Sequence, residues 1–169
     1  MKKVFLLLGL MSIVALQAQD IKDIKVTPKN SWFKAGLNLG VPVAETTDYA
    51  SFNAGVDVRA QYLFNPHFGI GVASGYNHFF GKDDFDDFGV IPLAGFARYY
   101  FQNEGVFVGA DFGYGFLTNV DNSGGLYLNP QIGYHNRKWN IYGYYQNTFA
   151  EDITIRSIGV GFTYNIMFK

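Results

Sequence analysis

The sequence predicts an all-β protein, an eight-stranded antiparallel up-and-down transmembrane β-barrel. Three observations lead to this prediction. Apolar and polar residues alternate with period two through eight successive segments, aromatic residues make up 18% of the chain, and glycine occupies 20 of its 169 positions. Aromatic side chains favour pleated strands and glycine weakens helices, so the pattern and the composition both indicate strands.

The first residues are predicted to be absent from the mature protein. Two lysines precede an apolar run that ends at Leu16, and small and polar residues continue to Ala18. This pattern is typical of a secretory signal peptide over residues 1–18, and the run is too short for a spanning helix. Residues 19–31 are polar and lack periodicity, which predicts a periplasmic tail. The barrel is predicted over residues 32–169.

The first three strands each have one apolar face and one small or polar face. In the first, Phe33, Ala35, Leu37, Leu39 and Val41 alternate with Lys34, Gly36, Asn38 and Gly40. In the second, Phe52, Ala54, Val56, Val58, Ala60, Tyr62 and Phe64 alternate with Asn53, Gly55, Asp57, Arg59 and Gln61. The third sets Phe68, Ile70, Val72 and Tyr76 against Gly69, Gly71, Gly75 and Asn77. A three-residue turn at 65–67 is predicted to make Phe64 oppose Phe68.

The fourth strand, about Val90 to Phe101, is the least regular because both of its faces are fairly apolar. Pro92 has no N–H for the ladder and is tolerated near a bulge or the start of a strand. We place Ile91, Leu93, Ala97, Tyr99 and Phe101 outward. This phase turns Arg98 inward.

The last four strands follow the same alternation. The fifth has Val106, Val108, Ala110, Phe112, Tyr114 and Phe116 on its apolar face, and the sixth has Leu126, Leu128, Ile132 and Tyr134. The seventh runs from Trp139 to about Asn147, and its phase is left open. The eighth, Arg156–Lys169, alternates strictly over about eleven residues, the length at which a tilted strand crosses a bilayer.

The connections alternate between loops and turns. Polar loops are predicted at 42–51, 80–88, 118–125 and 149–155, and short turns at 65–67, 102–105 and 135–138. Loops at one rim, with turns and both termini at the other, are the layout of an outer-membrane barrel with periplasmic termini. An even number of antiparallel strands lets the eighth pair with the first, which leaves no edge exposed to lipid.

Volume decides which face points outward. The interior of an eight-stranded barrel is only just wide enough for side chains, and the apolar faces carry too much Phe, Tyr, Ile and Val to fit there. Glycine on the other face makes room for Arg59, Arg98, Gln61 and Gln131. We therefore predict an apolar wall that faces lipid around a filled polar lumen. The alternative is a soluble ligand-binding barrel, which would turn its apolar face inward.

Charged and aromatic residues are sorted between the two rims. Removal of the two signal-peptide lysines changes the formal charge from −1 to −3. The predicted loops contain one lysine, Lys82, and these acidic residues: Glu45, Asp48, Asp83, Asp84, Asp86, Asp87, Asp121, Glu151 and Asp152. Two aromatic girdles are predicted, Phe64, Phe68, Phe101, Trp139 and Phe168 at the turn rim and Phe52, Tyr76, Phe79, Phe116 and Tyr145 at the loop rim. The remaining basic residues are few and scattered, which predicts no nucleic-acid binding.

The last strand carries Gly161 followed by Tyr164, Ile166 and Phe168 at alternate positions. In this pattern the chain resembles the small eight-stranded outer-membrane barrels of the OmpA-like and OmpX-like group, in particular the outer membrane protein beta-barrel domain of Bacteroidetes-type bacteria. The resemblance covers the whole mature chain and implies that the barrel-assembly machinery reads these four residues. Lys169 after the terminal aromatic departs from the pattern. The resemblance does not fix an activity, because the fold serves structural, adhesive, pore-forming and enzymatic members.

A polar network is predicted in the lumen from Lys34, Asp57, Arg59, Arg98 and Asp111, and Arg156 is a further candidate. Arg98 and Asp111 are near-diagonal neighbours if Phe101 opposes Val106. Such a network could gate a narrow pore. The competing interpretation is that charges in a filled barrel pair because an unpaired buried charge is costly.

No constellation in the sequence points to catalysis, a cofactor or a firm metal site. Asp83, Asp84, Asp86 and Asp87 are weak candidates for a divalent cation, but they do not fit the helix-loop-helix calcium pattern. His67 and His135 fall in turns and His78 near the opposite rim, so no nucleophile and base are predicted to meet. Lipid A modification is therefore disfavoured.

We accordingly expect an integral barrel of the Gram-negative outer membrane, monomeric, surrounded by outer-membrane lipid and lipopolysaccharide. Its expected role is structural or surface-interactive through the acidic loops. A narrow porin-like channel for ions or small solutes is the alternative, and the filling of the lumen distinguishes the two.

Overall fold

A computed structural model describes residues 32–121 and 123–166. It contains eight strands: β1 (Trp32–Pro42), β2 (Ala50–Asn65), β3 (Phe68–Gly81), β4 (Phe88–Tyr100), β5 (Gly105–Thr118), β6 (Gly124–His135), β7 (Trp139–Ala150) and β8 (Thr154–Ile166). A short 3-10 helix, Ala44–Asp48, lies between β1 and β2. The predicted signal peptide (1–18), the tail (19–31) and Phe168 lie outside the described residues. No helix among the described residues is long and apolar enough to cross a membrane.

The strands close into one antiparallel barrel in which each strand pairs with its neighbours in sequence. β1 completes the ring, because Leu37 lies opposite Val56 of β2 on one side and Phe162 of β8 on the other. Closure leaves none of the eight strands as an edge. The predicted all-β, eight-stranded up-and-down transmembrane barrel is therefore confirmed.

Side-chain polarity is inverted relative to a water-soluble protein. Leu37 is 64% exposed and Phe112 is 62% exposed, and the outer wall is lined with similar residues. The side chains inside are largely polar: Lys34, Asn38, Asn53, Asp57, Arg59, Gln61, Asn77, Arg98, Asp111, Asn129, Gln131, Asn140 and Gln146. This arrangement excludes the soluble ligand-binding barrel, which requires an apolar interior.

Glycines on the inner face make room for larger neighbours. A Cβ atom at Gly161 would lie 2.3 Å from the Tyr142 ring, and one at Gly159 would lie 2.5 Å from the Tyr144 hydroxyl. Gly109 leaves space for Arg98 in the same way, since a Cβ there would lie 2.6 Å from Arg98 Cγ. The inward glycines of the sequence therefore follow from the volume of the lumen.

The strands extend further toward the loops than predicted, and this changes the predicted position of one residue, Phe79. The loop connections are 43–49, 82–87, 119–123 and 151–153. We call the rim that carries them the loop end and the opposite rim the turn end. Because β3 continues to Gly81, alternation carries on past Asn77 and turns Phe79 inward. Phe79 is fully buried against Phe88, so its predicted place in the outer aromatic girdle is wrong.

The β2–β3 turn also differs by one residue. Asn65, not Phe64, lies opposite Phe68, and the register shifts between Leu63 and Asn65. The extra residue keeps both phenylalanines on the outer wall, where their ring centroids are 6.3 Å apart. The Asn65 side chain accepts a hydrogen bond from the His67 N–H at 2.9 Å, which stabilises a tighter turn than predicted.

Candidate functional site

The lumen is filled in three layers. An apolar layer near the loop end consists of Ala50, Phe79, Phe88, Val90, Ala94, Leu117, Tyr127 and Ile155. A second layer, toward the turn end, consists of Leu63, Tyr100, Phe107, Tyr142 and Tyr144. The third layer is polar and centred on a cluster of Asp57, Arg59 and Asp111, which we call the ionic cluster.

Arg59 holds the ionic cluster together. Its Nη1 and Nη2 donate to the two carboxylate oxygens of Asp111 at 2.6 and 2.9 Å, and its Nε donates to Asp57 at 2.8 Å. Asn129 and Gln131 donate to Asp111, and the Tyr142 hydroxyl donates to Asp57. One guanidinium thus forms a bidentate ion pair with Asp111 and a monodentate one with Asp57, while the neutral donors add hydrogen bonds to the same carboxylates.

Arg98 is bound differently. The register places Arg98 opposite Gly109, two positions from Asp111, so the predicted diagonal relation is correct. Arg98 nevertheless reaches Asp111 only through Gln131, to which its Nη2 donates at 2.7 Å while Gln131 donates to Asp111. Its guanidinium carbon lies 4.6 Å from the centroid of the Phe107 ring, an attractive cation–π geometry.

The structure thus brings four of the five predicted lumen residues into one connected network. The fifth, Lys34, is fully buried and donates to Asn140 at 3.3 Å. Arg156 lies at the loop end, half-buried, 4.0 Å from Glu45. Sequence reasoning missed Tyr142 and Tyr144 because the phase of strand seven was left open.

Little free space remains between these layers. The lumen contains a cavity of about 20 Å³ lined by polar groups that include Asn38, Asp57, Asn77, Asn129 and Gln146. Such a volume holds roughly one or two water molecules. Within the described residues the lumen is therefore packed with side chains and is not an open channel.

The loop end is acidic and compact. Thr46 is fully buried and accepts a hydrogen bond from the Arg156 N–H at 2.9 Å, which fixes the 3-10 helix to β8. Asp83, Asp84, Asp86 and Asp87 are exposed, and no group of three or more acidic, histidine or cysteine side chains could hold a metal ion in the part of the chain described.

Asp87 has a structural role in its loop. Its carboxylate accepts hydrogen bonds from the Gly81 N–H at 2.7 Å and from His78 at 3.0 Å. These bonds lower the pKa of Asp87 below its usual range, the backbone bond most. His67 and His135 contact backbone carbonyls at the turn end, so the three histidines do not converge.

The four residues of the predicted assembly signal lie on the terminal strand. Tyr164 and Ile166 project from the outer wall, and Gly161 lies inside beneath Tyr142. Phe168 lies outside the described residues. The reading of this strand by an assembly machinery stays a prediction.

The closed barrel, the apolar wall and the filled lumen define a small transmembrane β-barrel. No family model and no curated protein matches the sequence. Among solved structures the chain is similar to Ail, the attachment invasion locus protein of Yersinia pestis, with 13% identity and a TM-score of 0.53 over 80% of this chain and 97% of that one. It is also similar to a de novo designed transmembrane β-barrel, with 13% identity and a TM-score of 0.51 over 86% of this chain and 100% of the design.

The outer membrane protein OprG from Pseudomonas aeruginosa is a third similar structure, with 14% identity and a TM-score of 0.50 over 88% of this chain and 100% of that one. Identities at this level show a shared fold alone. The chain therefore has the fold of the small outer-membrane barrels.

Proposed function

We propose that the protein is an integral barrel of the Gram-negative outer membrane, with periplasmic termini and a structural or surface-interaction role at its loop end. The observation that carries the proposal is the packed lumen. A barrel whose interior is filled by Arg59, Asp57 and Asp111 between two apolar layers offers its outer wall and its loop end for function. The same proposal includes membership of the Bacteroidetes-type outer membrane protein beta-barrel family and recognition by the barrel-assembly machinery. The pattern of the terminal strand supports both.

The chemistry of the loop end indicates what kind of partner would bind there. Its exposed carboxylates include Asp83, Asp84, Asp86, Glu151 and Asp152. Electrostatic complementarity favours a cationic partner and disfavours a polyanion. Ail, by contrast, has been crystallised with the heparin analogue sucrose octasulfate. We expect opposite charge selectivity for this chain.

The exposed ring of Phe85 adds an apolar contact among these carboxylates. Phe85 is 51% exposed and packs edge-on against Tyr49 at 5.1 Å. An aromatic face between carboxylates suits an arginine or lysine side chain. A basic segment of a protein or peptide is therefore the partner class we propose for this surface.

Planar-bilayer recording tests the packed lumen. The purified protein should give no steady conductance, because two apolar layers and the ionic cluster interrupt the passage. Steady openings would overturn the structural role and establish the porin-like alternative.

Peptide binding tests the loop end. Barrels embedded in lipid vesicles should bind an oligolysine peptide and not an oligoglutamate peptide, and the triple variant Asp83→Asn, Asp84→Asn, Asp86→Asn should bind the oligolysine more weakly. Glu104→Gln, in the turn-end connection, is the matched control and should bind as the wild type. Equal binding by both peptides would contradict a charge-selective surface.

A further inference from the structure

A line of polar side chains crosses the outer wall just below the loop end. The Tyr76 hydroxyl lies 3.1 Å from His78 Nδ1, and His78 Nε2 lies 3.0 Å from Asp87 Oδ2. His78 is opposite Gly89 of β4, which in turn is opposite Thr118 of β5. We call Tyr76, His78, Asp87 and Thr118 the outer-wall polar cluster. None of them belongs to the lumen network.

Gly89 makes this cluster possible. A Cβ atom at Gly89 would lie 2.4 Å from Cε2 of Tyr76, and 2.7 Å from both the Tyr76 hydroxyl and Thr118 Oγ1. The edge of the Tyr76 ring and the Thr118 hydroxyl therefore both occupy the space that a side chain at position 89 would fill. Thr118 Oγ1 is buried and has no hydrogen-bond partner within the described residues.

Aromatic rings surround the cluster on the wall. The Phe80 ring meets the His78 ring edge-on with centroids 4.5 Å apart, and it stacks on Phe52 at 4.1 Å. Aromatic belts of barrels lie where hydrocarbon gives way to lipid headgroups. The cluster is thus at the depth where polar side chains of the wall meet headgroups of the outer leaflet.

The chemistry of the cluster selects among headgroups. Both ring nitrogens of His78 are already hydrogen-bonded, but the Tyr76 hydroxyl and the Asp87 carboxylate have hydrogen-bonding capacity left, which matches a headgroup with several hydroxyls. The negative charge of the Asp87 carboxylate next to His78 means that this pair carries no net positive charge. Further carboxylates lie in the same loop. Anionic headgroups are therefore disfavoured at this position.

We propose that the outer-wall polar cluster binds the neutral, hydroxyl-rich headgroup of a glycolipid in the outer leaflet. This inference rests on the proposed placement of the barrel in a membrane. The headgroup would bind the Tyr76 hydroxyl and the Asp87 carboxylate and lie against the rings of Phe80 and Phe52, with its acyl chains along the apolar wall.

The test is a titration followed by NMR of histidine-labelled protein. The protein is prepared in dodecylphosphocholine micelles, and either dodecyl maltoside or dodecyl phosphate is added. The ring signals of His78 should shift and saturate with the maltoside and not with the phosphate. His67 and His135, held by backbone carbonyls at the turn end, should not respond.

Two glycine variants make the test specific. Gly89→Ala displaces the Tyr76 ring and should weaken the response by roughly tenfold, the loss expected for one well-placed hydrogen bond. Gly95→Ala on the same strand and wall is the control, because a Cβ there would meet nothing closer than 3.9 Å. An unchanged response in Gly89→Ala, or equal responses to both detergents, would overturn the headgroup site. Protein that stays folded and monomeric without detergent would overturn the membrane placement instead.

Discussion

At the level of single residues, Arg59 is the most consequential side chain of the lumen. It is the only cation within hydrogen-bond distance of both Asp57 and Asp111 among the described residues. Removal of one member of a buried ion cluster leaves the remaining charges without compensation. Loss of the arginine's charge, more than loss of its contact area, should therefore destabilise the cluster.

We expect Arg59→Met to lower the free energy of unfolding by about 3–5 kcal/mol. The measurement is urea unfolding of the protein in phospholipid vesicles, followed by tryptophan fluorescence. Arg137→Met, at an exposed turn position, is the control and should change stability by less than about 0.5 kcal/mol. Equal effects of the two substitutions would show that the ionic cluster contributes nothing specific.

Double-mutant cycles should separate the two arginines. Arg59 contacts Asp111 directly, whereas Arg98 reaches it through Gln131. We expect a coupling energy of roughly 1–3 kcal/mol for Arg59→Met with Asp111→Asn, and about 0.5 kcal/mol or less for Arg98→Met with Asp111→Asn. A larger coupling for Arg98 would favour the direct pairing that strand adjacency suggests.

The lumen residues illustrate what a sequence can determine at this scale. Period-two alternation is sufficient to place Lys34, Asp57, Arg59, Arg98 and Asp111 inside, because one face of each strand must point inward. Alternation does not say which residues meet across the lumen. Arg59 of β2 and Asp111 of β5 are 52 residues apart in sequence, and their contact depends on the tilt and stagger of the closed barrel.

At the level of strands, Pro92 interrupts a ladder that faces lipid. The pairing of β3 with β4 stops after Ser74 and Leu93 and resumes at Asn77 and Val90, so Pro92 lies in the gap. Ser74 Oγ donates to the Pro92 carbonyl at 2.8 Å, so a side chain replaces a missing backbone donor. A carbonyl without a donor is costly in hydrocarbon.

We expect Ser74→Ala to destabilise the barrel by about 1–3 kcal/mol, the cost of an unsatisfied buried acceptor. Urea unfolding in vesicles measures this effect. Ser51→Ala, at an exposed position of β2, should change stability by less than about 0.5 kcal/mol. Indistinguishable values for the two serines would indicate that water or another group satisfies the carbonyl.

The loop 82–87 should respond to acid. The Gly81 N–H and His78 hold the pKa of Asp87 below its usual range, so the folded loop favours the carboxylate. The stabilisation is present above the unfolded pKa of about 4 and is lost as pH falls through the lower folded value. Limited proteolysis of this loop should increase at acid pH, and Asp87→Asn should remove the pH dependence. If the wild-type loop were cleaved equally at neutral and acid pH, the stabilising role of the Asp87 carboxylate would be contradicted.

Strand existence was easier to predict than strand length. Alternation predicts all eight strands, but it ends β3 too early and begins β4 too late, because the loop between them is rich in aspartate. The backbone keeps its pairing to Phe79 and Phe88, whose inward rings stack at 4.9 Å. Tertiary packing of two aromatic rings therefore determines the end of these strands, and local composition does not reveal it.

At the level of the whole molecule, stability depends on the surroundings of the wall. The bulky residues are outside and the charges are inside, so the hydrophobic effect cannot drive this fold in water in the usual way. In a membrane the same wall is matched to hydrocarbon, while hydrogen bonds between strands satisfy the backbone. A charged substitution on the wall should therefore have a cost that depends on depth.

Val160 provides the sharpest test of this dependence. It is 58% exposed at the middle of β8, where a charge would meet the centre of the bilayer. We expect Val160→Arg to destabilise the barrel in vesicles by about 2–4 kcal/mol. Val120→Arg, in the loop-end connection at 37% exposure, should cost less than about 0.5 kcal/mol. If the wall faced water, both substitutions would change the stability very little. A large difference in stability between the two variants therefore requires a wall that faces lipid.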